Sequence, residues 1–191
     1  MMRITGTFLD EITHDIPSNN WGEEEWAETF EIMAGVGIDT VILIRCGVGK
    51  IAAFPSAVLK REIDIYPVYE DLVDRFLRLS ETHGMAFFFG TYDSATRAAH
   101  NKTLDEEVAM GKAVIDEVWA RYGHRKAFQG WYLTFEIGKM ERRRVACLRE
   151  LGQHCKTISP ALPTLISPYL YGGKLVADPI SLDQHYADWD A

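Results

Sequence analysis

Cysteine is sparse in these 191 residues: Cys46, Cys147 and Cys155 are the only three. Their odd number and wide spacing exclude a disulfide framework and a cysteine-based zinc site, and fit reduced thiols. Long apolar runs are also missing. The stretches at 41–44 and 86–90 fall far short of the roughly 20 residues that a membrane-spanning helix needs, so no membrane partner is expected. Basic clusters are few. The densest is Glu141-Arg142-Arg143-Arg144 in a chain of formal net charge -8, which excludes nucleic acid as a main partner, because that binding rests on neutralising phosphates. No Gly-rich phosphate loop follows any strand. Gly47-Val48-Gly49-Lys50 comes nearest, but it lacks a third glycine and a Ser/Thr and leads into Phe54-Pro55-Ser56, not a helix. Ser56 has no G-x-S-x-G context for a nucleophile. His14, His83, His100, His124, His154 and His185 are scattered without metal-ligand spacing, so neither a metal nor any other cofactor is expected. The start Met1-Met2-Arg3 runs straight into a strand-like segment with no signal peptide, which predicts a cytoplasmic protein, with an extracytoplasmic one as the alternative if a leader has been trimmed.

What is present is ordinary for a folded domain, with 47% hydrophobic, 12% aromatic and 25% charged residues. Short β-rich runs alternate with helical patterns, the signature of βα units around a parallel sheet. The runs at 4–9, 40–45, 85–91, 130–135 and 164–169 predict five strands. After the first, Asn20 precedes Glu23, Glu24 and Glu25, acidic residues suited to a helix N-terminus, and Trp26, Phe30 and Met33 then share one face before Gly35 and Gly37. A second helix carries Leu72, Phe76 and Leu79 and ends at Gly84; a third opens on the capping-box pair Thr103 and Glu106 and ends at Gly123. A fourth carries Met140, Cys147, Leu151, Cys155 and Ile158 before Pro160.

Each βα unit takes about 40 residues, so an eight-stranded barrel at that pitch needs roughly 300. The chain therefore reads as one α/β domain over residues 1–191 with a TIM-barrel-like architecture of about five strands of eight; a complete five-stranded doubly wound parallel sheet is the alternative. The loops after the strands are long and the linkers before them short, which marks the carboxyl ends of the strands as the functional face.

Polar groups collect at those ends: Asp10, Glu11 and His14; Arg45 and Lys50; Tyr92 and Asp93; Glu136; Tyr169 and Tyr171. Glu136 closes the apolar run Trp131-Tyr132-Leu133-Thr134-Phe135, where a carboxylate is costly to desolvate unless it has partners or a task. Strand alternation puts Tyr132, Thr134 and Glu136 on one side, toward the mouth of a barrel, where partial burial raises a carboxyl pKa into the range of a general acid. A structural pairing of Glu136 with Arg45 or Lys139 is the competing reading. Trp21, Tyr66, Tyr69, Tyr92, Tyr169 and Tyr171 lie near these loops and offer flat apolar faces to a ligand, although more than half of such aromatics are expected to be ordinary packing.

The run Gly130-Trp131-Tyr132-Leu133-Thr134-Phe135-Glu136 resembles a stretch of the glycoside-hydrolase-like barrels grouped as a domain of unknown function. So do Gly6-Thr7-Phe8-Leu9-Asp10, the helix from Trp21 to Gly37 running into DTVILIRCGVGKIAAFPS, and Ser167-Pro168-Tyr169. The resemblance implies a (β/α)8 barrel with Glu136 at the acid/base position, and it matches Asp10, Arg45, Tyr92 and Tyr169 to pocket-lining positions. It covers nearly all of this chain but only the first part of such a barrel.

Glycoside hydrolysis generally needs two carboxyl groups, roughly 5 Å apart for retention and roughly 6.5–9.5 Å for inversion. In barrels of this kind the second sits on a late strand, beyond the five seen here, which leaves Asp10, Glu11 or Asp93 as substitutes. The expectation is a glycoside hydrolase using carboxylate acid/base catalysis, with Glu136, Asp10 and Asp93 as catalytic candidates and Glu11, Arg45, Tyr92, Tyr132, Tyr169 and Tyr171 facing a carbohydrate. If the chain ends at Ala191, the expectation is a fragment with an incomplete site and little activity. Its open sheet edges then need a second copy or a missing C-terminal segment to complete the ring. The alternatives are a carbohydrate-binding barrel without chemistry, or a divalent-metal sugar isomerase or epimerase with further ligands on later strands.

Overall fold

The computed structural model describes residues 3–93, 103–135, 142–168, 181, 183, 186 and 187. In chain order the elements are β1 (Gly6–Leu9), α1 (Glu23–Val36), β2 (Thr40–Leu43), β3 (Gly47–Val48), β4 (Ile51–Ala52), α2 (Ala57–Ile63), α3 (Leu72–His83), β5 (Ala86–Gly90), β6 (Tyr92–Asp93), α4 (Leu104–Tyr122), β7 (Phe128–Tyr132), α5 (Arg142–Ile158) and β8 (Thr164–Leu165). Helix ends follow local chemistry. The Glu25 carboxylate accepts from the Gly22 N–H at 2.8 Å to open α1, and Thr103 and Glu106 form the capping box of α4. Gly37 and Gly84 close α1 and α3 in the left-handed conformation, at φ 88° and 65°.

The main sheet has five parallel strands in the order β1-β2-β5-β7-β8, which is their order along the chain. A doubly wound sheet must reverse direction at a switch point, and this one never does. The doubly wound alternative is therefore set aside, and the sheet is five successive parallel strands of a TIM-barrel-like fold.

Side chains alternate across that sheet. Leu9, Val41, Leu43, Phe87, Phe89 and Trp131 are buried, and rings from the outer layer pack on them: Phe54 lies 6.3 Å from Phe89, and Trp119 lies 6.2 Å from Trp131. The opposite face is the inside of the curve. Phe8 there is 45% exposed, and its ring meets Tyr132 edge-on at 5.2 Å. β1 and β7 are three positions apart in the sheet, about 14 Å if it were flat, so that contact requires strong curling. A bulge helps: Phe87 lies opposite Phe128 but Phe88 lies opposite Gly130, leaving Gln129 as the extra residue. The Phe88 ring occupies the space that a Cβ on Gly130 would take.

A second, small sheet of order β4-β3-β6 sits at the carboxyl ends of the long strands. Period-two patterning does not reveal it, because each strand has two residues. Gly49, at φ 56°, turns the β3–β4 hairpin, so the glycine pair at 47 and 49 serves a turn, and Tyr92 donates its hydroxyl to the Gly49 carbonyl at 2.9 Å. No helix among the described residues is long and apolar enough to cross a membrane.

Gly90 is where β2 and β5 approach most closely. A Cβ there would lie 2.0 Å from the Leu43 carbonyl oxygen, a backbone atom that cannot step aside. Gly90→Ala is expected to lower stability by about 3 kcal/mol, at the upper end of overpacking costs, with an unchanged denaturant slope in urea unfolding.

Candidate active face

The parallel strands deliver their last residues to one rim. β1 leads into Asp10 and Glu11, β2 into Arg45, β5 into Thr91, Tyr92 and Asp93, and β7 into Thr134 and Phe135. A pair of buried threonines ties the last three of these together. The Thr134 backbone N–H donates to Thr91 Oγ1 (3.2 Å), and the Thr134 hydroxyl lies 2.8 Å from the Thr91 carbonyl and 3.1 Å from that of Ile44. The Thr91 amide donates to the Tyr132 carbonyl at 2.9 Å, and the Cys46 amide to that of Gly90 at 2.8 Å. β7 is thus held to β2 and β5 beyond the last ladder residue.

Each acidic candidate on the rim that the structure describes has a partner. Asp10 folds back onto its own loop: Oδ1 accepts from the amides of Ile12 (3.1 Å) and Thr13 (3.2 Å), and Oδ2 accepts from the Thr13 hydroxyl. The Asp10 carbonyl accepts from Ser18 at 2.5 Å, and Asn19 donates to the Thr13 carbonyl at 3.0 Å, so residues 10–20 make an organised loop. Asp93 pairs with Arg45, Oδ2 to NH1 at 3.0 Å, with both side chains mostly buried. The Nε of Arg45 is buried and without a hydrogen bond. The fold thus brings the predicted residues Arg45 and Asp93 together.

Glu11 goes elsewhere. Its carboxylate accepts from the Trp26 indole and lies 4.0 Å from Arg75 NH1, between α1 and α3 and turned away from Asp10's bonds. Burial, the largest cause, raises its carboxyl from 4.5 to about 7; the Trp26 hydrogen bond and the Arg75 charge oppose that rise. A sugar-facing role for Glu11 does not fit this side chain, which is 11% exposed and packed against helices.

Tyr92 and Tyr132 are both buried, with their hydroxyls on the Gly49 carbonyl and, at 2.6 Å, on Ser167 Oγ. Tyr132 faces the hollow side, against Phe8. Glu136, Tyr169 and Tyr171 lie outside the described residues. Among the other aromatics, Tyr69 is 97% exposed, whereas Trp21 packs edge-on against Trp26 at 5.1 Å. Cys46 is fully buried and its thiol is pushed well up, chiefly by desolvation, which fits the inert reading of that residue. Among the described residues no three His, Cys, Asp or Glu side chains gather as a set that could hold a metal ion.

The residues that sequence reasoning did not single out are Thr91, Thr134, Ser167 and the Trp26–Arg75 pair. Thr134 shares the mouth-facing side of its run with Tyr132, but nothing in its spacing announces that it joins three strands.

The Arg45–Asp93 contact is partly buried and charge-assisted. A double-mutant cycle with Arg45→Met and Asp93→Asn is expected to give a coupling energy of about 1–2 kcal/mol in urea unfolding, above the usual value of exposed pairs.

Three comparisons place the chain among known proteins. A crystal structure of a protein provisionally named an alpha-L-fucosidase, from Bacteroides thetaiotaomicron, is 46% identical with a TM-score of 0.88, over 98% of this chain and 59% of that one. A family 39 glycoside hydrolase from the gut symbiont Bacteroides cellulosilyticus superposes with a TM-score of 0.58 at 12% identity, over 88% of this chain and 32% of that one. A family 5 glycoside hydrolase from Bacteroides vulgatus does so with a TM-score of 0.56 at 14% identity, over 78% and 32%. The latter two likenesses speak to the fold alone. The chain thus spans under two thirds of the length of each of these structures. No curated protein matches it in sequence. Over residues 4–191 the chain matches, and so belongs to, the family described as Domain of unknown function (DUF4434).

Proposed function

We propose that this chain carries the first five βα units of a glycoside hydrolase, with Glu136 as its general acid/base. The observation that carries the reading is the rim itself. Five parallel strands in chain order bring Asp10, Arg45, Asp93 and Tyr132 to their carboxyl ends, where barrel enzymes hold their sites, and a relative 46% identical is named for glycoside cleavage. Sequence places Glu136 directly after Phe135, at the end of the segment that Thr134 ties to β2 and β5. The Arg45–Asp93 pair offers donors and acceptors for sugar hydroxyls, and Phe8 with Tyr132 offers an apolar wall on the hollow side.

In this reading Glu136 protonates the leaving-group oxygen, and a second carboxylate attacks the anomeric carbon or activates water. Asp10 and Asp93 suit that second role poorly, because each is engaged by donors that a nucleophile or base would have to give up. The second carboxyl group is then supplied from outside the described strands, by a further segment of the chain or by a second copy that completes the ring. A sugar-binding face without hydrolysis is the second reading, and that same engagement of the rim carboxylates favours it.

An α-L-fucoside is the first substrate to try, given the name of the 46% identical relative. Assayed on a panel of aryl glycosides that includes it, Glu136→Gln is expected to lower kcat/KM about 10²–10⁴-fold, the worth of a general acid, while leaving Tm unchanged. Unchanged turnover removes Glu136 from the mechanism. Binding of a sugar by calorimetry with no turnover across the panel establishes the second reading.

A further inference from the structure

Glu11 sits in a pocket that compensates its charge only in part. Arg75 is 4% exposed, and two of its guanidinium nitrogens are already engaged: Nε with Glu23 at 3.0 Å and NH2 with Glu70. Its third nitrogen, NH1, is buried, makes no hydrogen bond, and stops 4.0 Å short of Glu11. Glu23 is further engaged by Arg78 at 2.8 Å. Of the charged groups acting on Glu11, Arg75 on α3 attracts and Glu70 repels, while α1 contributes the neutral indole of Trp26. Trp26 itself is fixed by rings on both sides, Trp21 at 5.1 Å and Phe76 at 4.7 Å. A buried carboxylate with one neutral donor and an incomplete ion pair is costly when charged and acceptable when protonated.

We propose that the Glu11–Trp26–Arg75 contact is a proton-controlled anchor of the β1–α1 loop, residues 10–20, holding the loop down while Glu11 is neutral and loosening it when Glu11 is ionised. Swinging Glu11 out to water relieves its charge, and the neighbouring Asp10 turn, built on the Ile12 and Thr13 amides, moves with it. The direction follows from linkage. The anchored form binds the proton more tightly, its carboxyl standing at about 7 against 4.5 in water, so anchoring is complete below 4.5 and is lost as pH rises through about 7. That difference of 2.5 bounds the effect at about 300-fold. The device is independent of whichever reaction the rim performs.

The test is amide hydrogen exchange at Ile12 and Thr13, corrected for intrinsic rates, at about pH 5.5 and about pH 8.5. In the wild-type chain protection is expected to fall at least about fivefold at the higher pH, within the linkage bound above. In Glu11→Gln, which keeps an acceptor for the indole but carries no charge, it is expected to stay level. Equal protection at both pH values in the wild type overturns the proposal, as does an equal fall in Glu11→Gln. A carboxyl-carbon titration of Glu11 in the unmodified chain needs no variant: a midpoint near 7 supports the anchor, and one near 4.5 sinks it.

Discussion

The carboxyl ends of β2, β5 and β7 lie within backbone contact of one another, and the rest of this face depends on that closeness. Gly90 has no room for a Cβ beside Leu43, so the β5 backbone can reach the Cys46 amide. Beyond it Thr91 and Thr134 take over the ladder's role with side-chain hydroxyls. Buried polar atoms that lose such partners cost about 1–3 kcal/mol each, so the cluster is favourable only while it is complete. It is the reason three separate loops leave the sheet from one point.

From that point the chemistry of the rim follows. β6 can pair with β3 only because β5 ends beside β2, and that pairing brings Asp93 next to Arg45. Asp10 saturates its oxygens within its own turn, and Glu11 leaves the rim for the groove between α1 and α3. Three carboxylates that a linear reading assigns to one rim therefore belong to three different structures: a turn, an ion pair and a helix-packing contact. The rim as described is organised and polar, with its acids bound by protein donors.

Much of this architecture was legible from residue patterns, and what was illegible shares a physical cause. The five strands of the main sheet and the larger helices announce themselves by apolar runs and by end signals such as Gly84 and the Thr103–Glu106 box, because burial against one layer imposes that pattern. α2 is a seven-residue helix capped by Ser56, too short to show a period, and Glu117 of α4 accepts from the Ser56 hydroxyl at 2.5 Å to hold it. The two-residue strands of the small sheet are equally invisible. At the site, sequence supplies residue types at strand ends but not their partners. Neighbouring positions put Glu11 and Asp10 at one strand end in that reading, whereas Trp26 lies 15 positions and Arg75 64 positions further along from Glu11.

The curling of the sheet bears on what the inner face is for. A ring–ring contact at 5.2 Å between β1 and β7 fixes the curvature across four strands, and the bulge at Gln129 with the bare Gly130 beneath Phe88 accommodates it. Curvature set this locally does not depend on closure of a ring, so the hollow exists already in these five units. Phe8 remains 45% exposed on it, an apolar surface among the described residues. A face with a preformed concavity, an apolar wall and a polar rim on one side suits a ligand that is itself two-faced, as a sugar ring is with its C–H surface and its hydroxyls. The proposal of a sugar site thus rests on shape and polarity that the described strands already possess, while the chemistry rests on a carboxylate that sequence alone places.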